Sequence, residues 1–177
     1  MELNNTQAVI NKFRAYVIQQ SRSNLTKGKK NVSKNLYNSI KSEFKLKNGN
    51  ISLGFYMDEY GSYQDKGVKG KYKSEKSPNS PYKFGSGSGI KGGLTQGIEK
   101  WVKDRRIQFR DKKNGRFITY KSTAFIITRS IYATGLKASL FFTKPFEVGY
   151  KKYIEIGLIE AFILDLEDAI NYNLNKK

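Results

Sequence analysis

Asp58, Glu59 and Asp65, followed by Lys66, are the residues whose types come nearest to a catalytic set. Clustered carboxylates beside a lysine are how metal-dependent nucleases hold magnesium and meet developing charge. The same residues read more simply as a solvated turn, and that reading is preferred. Glu155, Glu160, Asp165, Glu167 and Asp168 read likewise as the wet face of a C-terminal helix. The glycine-rich run from Gly85 to Gly93 is followed by Leu94-Thr95, not by Lys-Ser or Lys-Thr, and no apolar strand precedes it. A phosphate-binding loop is therefore not supported. The chain has no His and no Cys. Histidine triads, histidine bases, thiolate zinc sites, cysteine nucleophiles and disulfides are all excluded. We expect no catalytic residue, no metal site and no cofactor, and so no enzyme.

A different chemistry is open to the stretch from Lys100 to Arg110, where Lys100, Lys103, Arg105, Arg106 and Arg110 alternate with Trp101, Ile107 and Phe109. Cations meet phosphates and rings stack on bases, so such interleaving suits nucleic acid. The plainer reading puts Ile98 and Trp101 in a core with the basic face solvated. No helix-turn-helix, zinc-finger or RNA-recognition signature accompanies it.

The elements that would position these groups follow from periodicity. Val9, Ile10, Phe13, Tyr16 and Val17 predict an amphipathic helix over 6–24, capped by Asn5 or Thr6. Val32, Leu36 and Ile40 predict a second from Ser33 to Ser42. Asn48-Gly49, between the alternating runs 44–47 and 51–57, predicts a hairpin with Ile51, Leu53, Phe55 and Met57 on one face. Tyr60 and Tyr63 lie one helical turn apart, with both rings inward and Gly67 as the stop. Residues 71–93 show no period and read as a mobile loop. A helix is expected near 94–105, a turn at Asn114-Gly115, and a helix over 123–134 capped by Ser122 and stopped by Gly135. An extended segment then runs from Leu136 to Pro145. The last helix, 149–174, carries Ile159, Ile163, Leu166, Ile170 and Leu174 in one stripe, widened by Ile154, Leu158 and Phe162. It is apolar over more than half its girth, so one side should meet a sheet and the other a second surface, such as a neighbouring subunit. The fold class is α+β: a small antiparallel sheet packed by N-terminal and long C-terminal helices, with a long basic loop insertion.

With 177 residues, one domain over 1–177 is the expectation, with 66–121 as a basic loop-and-helix excursion. That segment holds sixteen basic and four acidic residues, a net +12 out of +18 for the chain. Such an excess seeks phosphate, an anionic surface or an acidic protein. No apolar run is long enough to span a bilayer. The opening Met1–Asn5 lacks the features of a signal peptide, so synthesis in a reducing, cytoplasm-like compartment is expected.

Two phrases together resemble the neck, or tail-completion, proteins of tailed bacteriophages, in particular the minor tail-component family of lambda-like siphophages. That family's phrase Gly-x-Leu-x-x-Ser-Ile is similar to Ser33–Ile40, with Ser33 or Asn35 where glycine is usual. Its phrase Tyr-Ala-x-Phe-Val-Glu-x-Gly-Thr is similar to Tyr60–Val68. The segments Ala124–Gly135 and Phe141–Phe146, with the helix after them, resemble forms of the family in phages of Bacteroides-like hosts. The likeness covers 6–70 and 122–170; the basic middle, 71–121, departs from the shorter members.

The resemblance implies a non-enzymatic virion part made in the bacterial host cytoplasm. Copies form a six- or twelve-fold ring between portal and tail, and DNA passes through its lumen. Within that reading, Tyr60, Tyr63, Gly67, Lys69, Lys71 and Lys73 serve the loop that reaches a neighbouring ring protein. Phe162, Leu166 and Ile170 pack subunits together. Lys100, Lys103, Arg105, Arg106, Arg110, Lys112 and Lys113 meet DNA or an acidic partner. The alternatives are a DNA-binding protein that uses 66–121, and, more remotely, the magnesium nuclease.

Overall fold

The computed structural model describes residues 3–30, 33–47, 50–87 and 93–175. It is an α+β structure. The chain divides into two compact units: Met1–Gly28 with Leu36–Met57 and Phe141–Lys177, and Lys29–Asn35 with Asp58–Leu140.

The first unit is organised by helix α1 (Asn4–Lys27). Its buried residues, Thr6, Ile10, Phe13, Val17, Ser21 and Leu25, step by three and four along one face. Helix α2 is a short turn, Asn35–Ser39, where a helix to Ser42 was expected. Two arginines of α1 account for the difference. Arg22 donates to the carbonyls of Tyr37 (3.0 Å) and Ile40 (3.2 Å), and Arg14 donates to the carbonyl and hydroxyl of Ser42. They take the carbonyls that a continuing helix would need, so the chain leaves extended from Lys41. Strands β1 (Lys41–Lys47) and β2 (Asn50–Tyr56) pair antiparallel from Lys41↔Tyr56 to Lys47↔Asn50. That register leaves the two residues of the predicted turn between them; Asn48-Gly49 themselves lie outside the described residues.

Leu25, Leu36, Ile40 and Phe141 form a buried cluster. Beside it, the rings of Phe13, Phe55, Phe142 and Phe146 meet mostly edge-on at 5.5–5.9 Å between centroids. Phe146 lies in helix α6 (Thr143–Gly149), where an extended segment ending at Pro145 was expected. Proline sits there without penalty because it is the third residue of the helix, where the N–H has no intrahelical partner. The predicted single helix from 149 is interrupted. A π-turn over Tyr150–Ile154, closed by Glu155 N–H to the Tyr150 carbonyl at 3.0 Å, precedes helix α7 (Gly157–Leu174). The bend follows Gly149, whose missing Cβ lets the backbone lie against the rings of Phe13 and Tyr16.

The second unit holds helices α3 (Tyr60–Lys66), α4 (Gly93–Asp104) and α5 (Tyr120–Thr134), with a two-residue ladder, β3 (Val68–Lys69) on β4 (Gly135–Leu136). Thr119, not Ser122, caps α5: its hydroxyl accepts from the Ser122 N–H at 3.1 Å. Gly135 ends α5 at φ +88°, as expected of a stop. A Cβ there would lie 2.5 Å from the Val68 carbonyl oxygen, so only glycine lets β3 and β4 come together.

Residues 71–87 have no helix, as their composition predicts, but they are not a free loop. Lys69 N–H donates to the Tyr82 carbonyl (2.8 Å) and Phe84 N–H to the Lys69 carbonyl (2.9 Å). Ser77 and Ser80 are buried stitches. Ser77 Oγ donates to the Leu136 carbonyl at 2.6 Å and accepts from Ala138 N–H. Ser80 Oγ donates to the Gly67 carbonyl at 2.7 Å and accepts from Tyr82 N–H. Part of the Gly85–Gly93 run lies outside the described residues.

Candidate functional site

No set of three or more acidic side chains capable of holding a metal occurs among the described residues. Asp65 is buried within α3, whereas Glu59 is exposed at its start. A groove of the second unit, about 500 Å³, is lined by Thr95, Glu99, Lys121, Ser122, Phe125 and Ile126. Its one carboxylate, Glu99, is paired with Lys103 at 2.8 Å. That pairing holds the Glu99 carboxyl below the usual range. A groove of the first unit, lined by Ile18, Arg22, Thr26 and Tyr37 among others, holds no acid. The acidic constellation therefore does not assemble.

The loop set is only partly displayed. Tyr60 and Tyr63 are exposed, not turned inward; α3 buries Gly61 and Asp65 instead. A helix this short has one inward line of residues, and positions 61 and 65 occupy it. The Tyr63 ring meets Tyr82 edge-on at 4.6 Å. Gly67 has φ +72° and sits where a Cβ would strike the Leu136 carbonyl, so its role is conformational. Lys69 sits opposite Gly135 of β4 in the ladder, and its backbone N–H and carbonyl bond the 82–84 segment. Lys71 is exposed, with its ammonium 5.5 Å and 5.8 Å from the ring centres of Tyr72 and Tyr132, and Lys73 is exposed.

The basic set lies on α4 and on a hairpin that follows it. Lys100 and Lys103 are exposed on α4, with Lys103 committed to Glu99. Trp101, expected in the core, is exposed, and Val102 is the residue α4 buries. Arg105 donates to the Lys29 carbonyl at 2.6 Å. Arg106 is exposed, as are Arg110, Lys112 and Lys113.

The subunit-packing set stands out most. Phe162, Leu166 and Ile170 are 39–57% exposed, and Ile159, Ile163 and Leu174 are 48–67% exposed. Helix α7 packs chiefly on α1, where packing on the sheet was expected, and the residues it buries are small or polar. Only Ala161 and Asp165 are buried on it. Phe146, Val148 and Ile156, just before α7, are exposed as well.

Asp165 is the residue sequence reasoning missed. Expected on the wet face of the last helix, it is only 1% exposed. Its two oxygens accept from the backbone N–H groups of Asn5 and Thr6, each at 2.8 Å. These are first-turn donors of α1 that have no carbonyl within their own helix, and Leu3, at the cap position, supplies no side-chain acceptor. Burial alone would raise the Asp165 carboxyl, but the bonds from Thr6 and Asn5 outweigh it and hold the group below its ordinary value. The one available signal was position: 161 and 165 are one turn apart, on the face opposite the large residues.

No protein-family model, curated protein or solved structure matches the chain. Among the described residues, no helix is long and apolar enough to cross a membrane.

Proposed function

We propose that the protein is a structural subunit of a tailed-bacteriophage virion, forming a homo-oligomeric ring in the neck between portal and tail. The observation that carries this reading is the outward apolar face of α7, to which Phe162, Leu166 and Ile170 belong. A chain of this size rarely leaves so many large apolar side chains in water unless another surface covers them. A ring subunit needs such a flank for its neighbour. The resemblance of Ser33–Ile40 and Tyr60–Val68 to the neck family supports the same reading. On this reading Lys71 and Lys73 face an adjoining ring protein, and DNA passes through the lumen.

The test is the mass in solution of the wild type and of Leu166→Ser/Ile170→Ser. Both side chains are exposed, so the variant should keep its circular dichroism and melting temperature. The expected result is a closed oligomer for the wild type and a shift to monomer for the variant. A wild type that stays monomeric at every concentration, with α7 as accessible to surface labelling as in the variant, overturns the reading.

A further inference from the structure

After α4 the chain forms a second hairpin, over 107–119, that neither sheet includes. Ile107 N–H bonds the Val102 carbonyl at 2.8 Å, and Phe109 N–H bonds the hydroxyl of buried Thr123 at 3.2 Å. Across the hairpin, Ile118 N–H reaches the Phe109 carbonyl (2.9 Å) and Asp111 N–H the Arg116 carbonyl (2.8 Å). The side chain of Gln108 adds a bond to the Ile118 carbonyl at 2.9 Å. Gly115, at φ +68°, turns the tip. A ladder pinned at its base in this way holds its backbone in a fixed arrangement, which lowers the ordering cost of binding.

What it presents is almost wholly cationic. Residues 105–116 hold six basic side chains and one acid, Asp111. That acid is turned into the loop, where Oδ1 accepts from Lys113 N–H at 2.7 Å. No ion pair among the described residues involves Arg110, Lys112, Lys113 or Arg116. Two rings are exposed among these charges, Phe109 and Phe117, and the Arg110 guanidinium lies 4.6 Å from the centre of the Phe117 ring. The whole second unit has 21 basic and seven acidic residues, so the hairpin stands in a field of its own sign.

We propose that this hairpin is a docking site for the phosphate backbone of duplex DNA, read without regard to sequence. A backbone of one sign, with a charge about every 3.4 Å along each strand, can meet several unpaired cations at once. An acidic protein surface carries charges of both signs and would leave some of them facing like charge. The guanidinium fixed over Phe117 gives one phosphate a planar donor pair, and the exposed rings lie where sugars or frayed bases would pass. The inference does not depend on ring formation. A monomer could carry the same site.

The experiment is fluorescence anisotropy of a random-sequence duplex of about 30 base pairs with the full chain, between about 50 and 200 mM salt. Lys112→Gln/Lys113→Gln/Arg116→Gln is compared with the charge-matched control Lys83→Gln/Lys121→Gln/Lys137→Gln, three exposed lysines elsewhere in the same unit. Circular dichroism confirms that both are folded. The hairpin triple should lower the slope of log affinity on log salt by roughly 0.9 for each phosphate no longer neutralised and weaken binding about ten-fold or more at low salt. The control should keep most of both. Equal losses in the two triples would mean diffuse net charge and overturn the proposal. So would displacement of the duplex by poly-glutamate at equal charge, which would point to an acidic protein. Oligomeric mass is measured on the same samples, so failure of the ring reading is seen separately.

Discussion

Replacing Asp165 with Asn tests the packing of α7 most directly. The carboxylate serves as a cap supplied from 160 residues away, with one oxygen on Asn5 N–H and the other on Thr6 N–H. Asparagine has one acceptor and one donor in the same shape. It keeps one bond and points an N–H₂ at the other donor. A hydrogen bond to a charged group contributes about 1.5–3 kcal/mol, and favourable interaction with the helix N-terminus adds a few tenths to 1 kcal/mol. We expect a loss of about 2–3 kcal/mol, a fall of roughly 4–12 °C in melting temperature for a chain of this size. Urea titration followed by circular dichroism would read it, with the slope m unchanged. The sign of the pH effect follows from the depressed carboxyl. The folded state holds the proton less readily than the unfolded chain, so the contribution is present above the unfolded value of about 3.9 and is lost as pH falls through the folded one. The gap between wild type and variant should therefore be full at neutral pH and shrink in acid. A variant within about 0.5 kcal/mol of wild type at neutral pH would refute the cap, because that is the scatter of ordinary surface changes.

Gly135→Ala should cost several kcal/mol or prevent expression of folded protein, since a Cβ meets the Val68 oxygen at 2.5 Å from a backbone at φ +88°; soluble yield and thermal melting check it. Thr119→Ala removes the α5 cap and should cost about 1 kcal/mol by urea titration, while Ser122→Ala, which leaves the accepted N–H in place, should cost less. Ser80→Ala should cost about 1–2 kcal/mol and increase proteolysis within 71–87, because it frees the Gly67 carbonyl and the Tyr82 N–H together; limited digestion would show it.

Several local rules were legible where a residue acts through its own neighbours in sequence, although Thr119, not the predicted Ser122, caps α5. The three-and-four step of Ile10, Phe13 and Val17 marks α1, alternation on both sides of residues 48–49 marks the hairpin, and Gly135 marks the end of α5. Rules that depend on a distant partner were not. Arg22, in α1, shortens α2 by taking the Tyr37 and Ile40 carbonyls. Pro145 is equally at home ending an extended run or opening a helix, and the ring cluster around Phe146 decides for the helix. In α7 the periodicity is real, but it identifies an apolar face without saying whose core that face enters. The residues that α7 buries are Ala161 and Asp165, which add little to a hydrophobic pattern. Ser77 and Ser80 tie 71–87 down through Leu136, Ala138 and Gly67, partners far enough along the chain that the local sequence does not announce them.

The bond between Asp165 and the start of α1 also sets a schedule for synthesis. A ribosome delivers residue 165 only 160 residues after residue 5, and contacts of such separation close slowly. The second unit is nearly continuous, from 58 to 140 with a short strap at 29–35, so all of it is available to fold before α7 emerges. The greasiest surface of the protein thus leaves the ribosome after the basic unit does. A nascent chain stalled before α7 would have its basic unit complete and would lack the exposed apolar face of α7.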